Sequence, residues 1–317
     1  MLIAITGGTG FIGRYVIRRL LADGHQVRAL CRPGRESALE DLSHENLLFH
    51  TGDLVDGDSL DGFLADARYL IHLASAHDHF TDEQMQLVNV KGSENLVAEA
   101  QAQRTPDNFQ FVVVSSAVIG VPVYSYYRDS KRVQEKIFRA SQFPWVSFRP
   151  TLVYGVDDMR HTAPLLRRCA EPKGTYWIFH EGLSKINPVH VDDMVDAIVR
   201  FFDYDRGKED YRIFEIAGPA GIPFNQFVDR VIEATGGGVK RRNIPRRWVE
   251  RITTFLHIFK DMTKARRGAG YFSLHHEHNI LPAQEELGWQ PRPFADGLRD
   301  ITATDWWREQ PSDSSDS

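Results

Sequence analysis

The chain is poor in cysteine: Cys31 and Cys169 are the only two among 317 residues. Two thiols so far apart in a chain of this length argue against a disulfide framework and for a reducing compartment, so a cytoplasmic location is expected. Long apolar runs are also missing. No stretch approaches the ~18 residues that a spanning helix needs, and no membrane span is expected. Positive charge is not in surplus either. The net charge is -5, which removes the general electrostatic reason to expect nucleic acid. A strand pattern starts at residue 2, so no signal peptide is expected. No internal repeat and no flexible linker interrupts the sequence, so a second lobe should grow out of the first rather than hang from it.

What is present is ordinary for a soluble globular chain: 42% hydrophobic and 26% charged residues, with length enough for a large core. Only residues 309–317, ending in Pro-Ser-Asp-Ser-Ser-Asp-Ser, have the composition of a disordered tail.

The most informative segment is the first. Leu2 to Ile5 is a short apolar run that breaks into glycines and then into a helical pattern. Gly8, Gly10 and Gly13 fit G-x-G-x-x-G, and Gly7, Gly10 and Gly13 fit G-x-x-G-x-x-G. Between a strand and a helix, such glycines allow a tight turn, close approach of a pyrophosphate, and close helix–sheet packing. The free N–H groups and partial positive charge of the helix start suit a phosphate.

Strand and helix patterns then alternate. Strands are expected at 26–30, 47–50, 69–74, 109–114 and 145–148. Helices are expected at 58–64, 83–101 and 130–141, after a first helix ending near Gly24. This rhythm implies an α/β fold: a Rossmann-type doubly wound parallel sheet, with a ligand at the carboxyl ends of the strands. The later half is less regular, with helices at 191–202, 224–234 and 248–262 and a strand at 214–217. A smaller C-terminal α/β substrate lobe is expected. The division is 1–154 plus about 184–217 for the dinucleotide-binding domain, and about 155–183 and 218–308 for the lobe.

Tyr127 and Lys131 form a Tyr-x-x-x-Lys, which on a helix shares one face. A tyrosine with pKa near ~10 is a poor base at neutral pH, and a nearby ammonium favours its phenolate. That pair suits moving a proton on or off an alcohol while hydride moves to or from a nicotinamide. Tyr124 and Tyr126 have no lysine four positions on. Upstream, the fifth strand runs into Ser115-Ser116, where a hydroxyl can hydrogen-bond a substrate oxygen or simply satisfy the strand end.

Taken in order, the glycine segment, Gly52-Asp53-Leu54, His72-Leu73-Ala74-Ser75, Asn89, Ser115-Ser116, Tyr127 with Lys131, and Arg149-Pro150 resemble the short-chain dehydrogenase/reductase superfamily. Pro188-Val189-His190-Val191-Asp192-Asp193 and Glu286-Leu287-Gly288-Trp289 resemble its extended, NAD-dependent epimerase/dehydratase branch. The resemblance implies that Gly7, Gly10, Phe11, Ile12 and Gly13 hold the pyrophosphate. It places Asp53 and Leu54 at the adenine and Ala74 along the middle of the cofactor. It assigns Ser116, Tyr127 and Lys131 to catalysis, with Lys131 also at the nicotinamide ribose. Ser116 matches when counted from the strand, Ser115 when counted back from Gly120; Ser116 is preferred. Read without the resemblance, Asn89 solvates a helix and Asp192-Asp193 caps the next one.

Two departures stand out. The segment from Ser116 to Tyr127 is only eleven residues, where nucleotide-sugar epimerases of the family carry a longer loop. Lys185-Ile186-Asn187 stands where such enzymes often place an arginine. At the end of the second strand, Cys31-Arg32-Pro33-Gly34-Arg35 offers no carboxylate against a 2′-phosphate, and Arg32 can pair with one, so NADP is expected over NAD. Residues 240–267 hold ten Lys/Arg and two acids, a local +8. An anionic substrate, a membrane-surface helix and a solvated face are all compatible with that stretch. His77-Asp78-His79 and His275-His276-Glu277-His278 match no metal template, and no metal is expected. The expected function is an NAD(P)-dependent oxidoreductase, epimerase or dehydratase acting on a small, nucleotide-sugar or other, molecule. The alternative is a non-catalytic NAD(P)-binding redox sensor or scaffold. The partner is a small-molecule substrate, and a homodimer is left open.

Overall fold

A computed structural model describes residues 1–77, 80–122, 125–179, 182–204, 211–245, 248 and 278–309. The helix expected over 248–262 and the tail expected from 309 lie outside the described residues, except for Trp248 and Glu309.

Six short strands line up first: β1 (Leu2–Thr6), β2 (Gln26–Cys31), β3 (Leu47–Thr51), β4 (Tyr69–His72), β5 (Gln110–Val114) and β6 (Trp145–Pro150). β4 and β5 are buried at every position, because helices cover both faces of a parallel sheet. A later strand, β11 (Tyr211–Ile216), completes a seven-stranded sheet in the order β11-β6-β5-β4-β1-β2-β3, with every neighbour parallel. The chain leaves β1 toward β2 and β3, then returns to β4 on the other side. The order therefore reverses between β1 and β4, where doubly wound sheets open a crevice.

Helix α1 (Phe11–Ala22) buries Val16, Ile17 and Leu20 on one face of the sheet beside α6 (Val191–Arg200). The other face carries α3 (Gly92–Gln103) and α4 (Tyr126–Ala140), with Leu96 and Phe138 against Phe111 and Val113. Each face has its own apolar cluster, as the layered arrangement requires.

Three boundaries differ from the sequence reading. Residues 58–64 form a 3-10 turn, Gly57–Leu60, rather than a full helix. The long helix expected over 83–101 is divided into α2 (Asp82–Met85), a π-helical segment Gln86–Lys91, and α3. α4 starts at Tyr126 rather than 130, because Ser125 caps it: the Arg128 amide donates to Ser125 Oγ at 3.0 Å.

The second half builds smaller units. β7 (Val153–Tyr154) pairs with β10 (Val189–His190), and β8 (Gly174–Phe179) pairs with β13 (Val239–Ile244). β9 (Lys185–Ile186) pairs with β12 (Ile222–Pro223). Helices α5 (Thr162–Ala170), α7 (Phe224–Thr235) and α9 (Phe294–Thr302) enclose a third cluster that includes Leu166, Phe227 and Phe294. In the sequence reading, residues 280–289 fall in the lobe. In the structure Ile280, Ala283, Leu287 and Trp289, on and around α8 (Leu281–Leu287), join the first cluster against the sheet.

Candidate active site at the carboxyl edge of the sheet

At the exit of β1 the chain has no room for a side chain at Gly7 or Gly13. Gly7 adopts φ +73°, and a Cβ there would lie 2.6 Å from the Ala74 nitrogen. A Cβ on Gly13 would lie 2.1 Å from the Gly7 carbonyl oxygen. Gly10 is the N-cap of α1 with no side-chain cap, and no acidic residue occupies the first turn. The result is a backbone cradle at a helix N-terminus, open to an anion, at the crevice between β1 and β4. A dinucleotide pyrophosphate fits this cradle in both shape and charge.

The other residues expected at a cofactor open α1 or follow the ends of β2, β3 and β4. Phe11 and Ile12 are half-buried, and the Phe11 ring meets Tyr15 edge-on at 5.7 Å. Asp53 is half-exposed after β3, with its carboxylate accepting from the Val55 amide at 3.1 Å. Leu54 is buried in the core, and its carbonyl accepts from Asn95 at 2.8 Å. Ala74 donates its amide to Thr6 Oγ1 at 3.4 Å, which ties the β4 exit to the β1 exit. Arg32 is exposed at the end of β2. One acid does stand in this neighbourhood: Glu36, four residues on, accepts from Thr51 Oγ1 at 3.0 Å.

The β5 exit and the start of α4 supply the rest. Ser116 is half-buried and caps a 3-10 turn, its Oγ accepting from the Val118 amide at 3.3 Å. That bond leaves the hydroxyl proton available. Ser115 is buried on the side of Glu135. Tyr127 lies in the first turn of α4, half-buried, with its ring 5.1 Å from that of His77. One turn further, Lys131 is 1% exposed and donates to the Val114 carbonyl at 3.0 Å and to Gln134 Oε1 at 2.5 Å. Burial pushes its ammonium down to about 7, against an opposing pull from Glu135.

Glu135 is held for a different purpose. Burial pushes its carboxyl up, but hydrogen bonds and charge from Arg149 outweigh this and hold it below the usual range. Arg149 Nε donates at 2.9 Å and Nη2 at 2.6 Å, and Ser147 Oγ donates at 2.7 Å. This bidentate pair fastens α4 to β6.

Two readings of motif residues are corrected. Asn89 does not solvate a helix; it is fully buried in the π-helical segment. Its Oδ1 accepts from the Ala76 amide at 2.7 Å, and its Nδ2 donates to the Ala76 carbonyl and to Ser130 Oγ, both at 2.9 Å. It thereby fixes the β4 loop to α4. Asp192-Asp193 is not the cap of α6. His190 is, with its Nδ1 accepting from the Asp192 amide at 3.3 Å, while Asp193 takes Arg292 Nε at 3.0 Å and the Arg292 amide at 2.9 Å.

Sequence reading quotes His72 without giving it a role and misses Gln134; both have no exposure. Their signal was a polar residue on an otherwise apolar strand or inward helix face. Among the described residues no group of His, Cys, Asp or Glu is placed to hold a metal. No described helix is long and apolar enough to cross a membrane.

A doubly wound parallel sheet with a glycine cradle at its switch point defines a dinucleotide-binding α/β protein. Within that class the chain belongs to the NAD dependent epimerase/dehydratase family, whose sequence model matches residues 3–217. Over 200 residues it is 32% identical to the ceramide reductase of Caulobacter vibrioides (strain NA1000 / CB15N), covering 63% of this chain and 60% of that one. It is 22% identical to the 2-alkyl-3-oxoalkanoate reductase of Stenotrophomonas maltophilia (strain K279a), over 96% of this chain and 99% of the other. The UDP-glucuronic acid 4-epimerase of Bacillus cereus, solved in complex with NAD, shares the fold with a TM-score of 0.73 and 17% identity. That likeness covers 97% of this chain and 96% of the epimerase.

Proposed function

We propose that this protein is an NAD(P)-dependent oxidoreductase that interconverts a ketone and a secondary alcohol on a small anionic substrate. The observation that carries the reading is the placement of Ser116 at the exit of β5 and of Tyr127 and Lys131 one turn apart at the start of α4, on the sheet whose β1 exit forms the glycine cradle. Gly7, Gly10, Phe11, Ile12 and Gly13 would hold the pyrophosphate, Asp53 and Leu54 the adenine side, Ala74 the middle, and Lys131 the nicotinamide ribose. Bound there, the nicotinamide supplies or accepts hydride.

The chain's own residues handle the proton. Tyr127 gives its phenolic proton to the forming alkoxide during reduction, or takes the proton of the alcohol during oxidation. Ser116, with its hydroxyl proton uncommitted to the backbone, donates to the same substrate oxygen and orients it. Lys131 favours the phenolate by its charge, and its depressed pKa lets that charge respond near neutral pH. Residues 155–183 and 218–308 would shape the pocket. NADP is favoured over NAD by Arg32, with Glu36 nearby as the group that opposes it.

The two relatives named as reductases favour net reduction over epimerisation, and the short segment between Ser116 and Tyr127 supports a pocket unlike that of sugar epimerases. The test is a panel of 3-oxo acids and nucleotide sugars, each incubated with NADPH or NADH and read by mass spectrometry. Conversion of a 3-oxo acid with loss of reduced cofactor is expected. Tyr127→Phe should keep cofactor binding and lose turnover by at least ~100-fold, the scale of positioned acid/base catalysis. Turnover within a few-fold of wild type in that variant would remove Tyr127 from the chemistry.

A further inference from the structure

The glycine cradle and Lys131 stand on different elements, and the proposed proton transfer does not by itself require them to be joined. A buried line of side chains nevertheless joins them. Lys131 Nζ donates to Gln134 Oε1 at 2.5 Å. The Gln134 amide nitrogen lies 2.9 Å from His72 Nε2, and His72 Nδ1 lies 2.6 Å from Thr6 Oγ1 at the entrance to the cradle. Thr6, His72 and Gln134 have no exposure, and Lys131 has 1%.

The chemistry of the groups gives this line one direction. An ammonium has no lone pair, so the amide must turn its oxygen to Lys131. Its nitrogen must then donate to His72 Nε2, which leaves the proton on Nδ1 for donation to Thr6. Burial keeps the His72 imidazole neutral, pushed down to about 3, with the Lys131 charge acting in the same sense. The second amide hydrogen of Gln134 has Ser93 Oγ at 3.1 Å and the Asn89 carbonyl at 3.3 Å as alternative acceptors.

We propose that Gln134 and His72 are positioning residues for Lys131: Gln134 supplies the oxygen that holds the ammonium, and His72 prevents that amide from turning over. The inference rests on the reading of Lys131 as the partner of Tyr127. The ionisable groups around Lys131 are Glu135 on its own helix, held by Arg149 on β6; His72 on β4, kept neutral; and Tyr127 one turn earlier. Gln134 adds a dipole to this set, and its replacement therefore moves Lys131 in a direction set by the substituent.

The experiment reads Lys131 directly. Protein with isotope-labelled lysine side chains is titrated by NMR in the absence of cofactor, and the Lys131 signal is the one lost in Lys131→Met. Wild type is expected to titrate near 7. Gln134→Leu should lower the midpoint by at least about one unit, a tenfold loss of protonated lysine at fixed pH. Gln134→Glu, nearly the same size, should raise it by at least as much. His72→Leu should shift it in the same direction as Gln134→Leu, and His72→Gln, which keeps an acceptor for the amide, should restore it. Circular dichroism confirms that each variant is folded; should Gln134→Leu fail to fold, Gln134→Glu alone decides. Unchanged midpoints in the folded Gln134 variants overturn the proposal. Turnover retained in Lys131→Met and Tyr127→Phe, with the midpoints moving as expected, instead overturns the catalytic reading and leaves the positioning chain standing.

Discussion

The sheet half and the second lobe solve the problem of holding a site in opposite ways. Around the glycine cradle, backbone meets backbone, and Gly7 and Gly13 have no space for even one carbon atom. Around α5, α7 and α9, strands are paired only by twos, and apolar side chains enclose a separate cluster. The lobe is fastened to the sheet half by polar clasps. The Tyr15 hydroxyl donates to the Val156 carbonyl at 3.1 Å, and Asp193 binds Arg292. The cofactor half is thus intolerant of change at particular atoms, while the lobe can vary in sequence as long as its cluster and clasps survive.

The sharpest way to break this contrast is Gly13→Ala. The new methyl would meet the Gly7 carbonyl, which is backbone and has no room to yield. A loss of about 3 kcal/mol or more is expected, together with loss of cofactor binding, read by urea denaturation and by fluorescence titration with NADPH. An alanine that folds and binds like wild type would mean the cradle is softer than the lobe.

Lys131→Met probes the same half from the one ammonium that is buried among its described residues. The folded pKa lies below the unfolded value, so the unfolded chain binds more protons between about 7 and ~10.5. Stability from this group is therefore lowest below pH 7 and recovers as pH rises through that window. Lys131→Met should be more stable than wild type at pH 6, on the order of a few kcal/mol, with the gap closing by pH 10. Denaturation curves at both pH values test the sign. A gap that widens with pH would contradict it.

Asp193→Ala loosens the clasp rather than the core. Its carboxylate is nearly buried, while Arg292 is partly exposed, so about 2 kcal/mol is expected after allowing for solvent screening. Two separate unfolding steps in calorimetry would show that the lobe can open on its own. Arg32→Asp should have the smallest effect, leaving stability unchanged and reversing the preference for NADPH over NADH by about tenfold, ~1.4 kcal/mol. Equal preference in both proteins would mean that Arg32 is only solvated and that Glu36 sets the choice.

The same contrast explains what could be read in advance. Phe109 to Val114 announces a buried strand by a nearly unbroken run of β-branched and aromatic residues, and β5 lies there within one residue. The glycine turn and the Tyr127–Lys131 spacing are equally local, so the cradle and the start of the site could be placed from residue order alone. The buried polar line was not legible, because Thr6, His72 and Gln134 become neighbours only when β1, β4 and α4 are assembled. The π-helical segment hides within an ordinary helical pattern, since one extra residue per turn leaves no mark in composition. In the lobe, two-residue strands such as Val153–Tyr154 carry no periodicity to detect. The Ser125 cap of α4 was a readable signal that went unused.

The fully buried Trp289 has a consequence for how the protein is made. Its indole nitrogen donates to the Asp193 carbonyl at 2.8 Å, and its ring sits in the apolar cluster on the β1–α1 face of the sheet. A ribosome delivers the amino terminus first, so the glycine cradle emerges long before the residue that finishes the packing above it. The nascent chain must keep an incomplete apolar face until residue 289 has been synthesised. A ribosome stalled before residue 289 would therefore display a face suited to chaperone capture, and delivery of Trp289 would end that exposure.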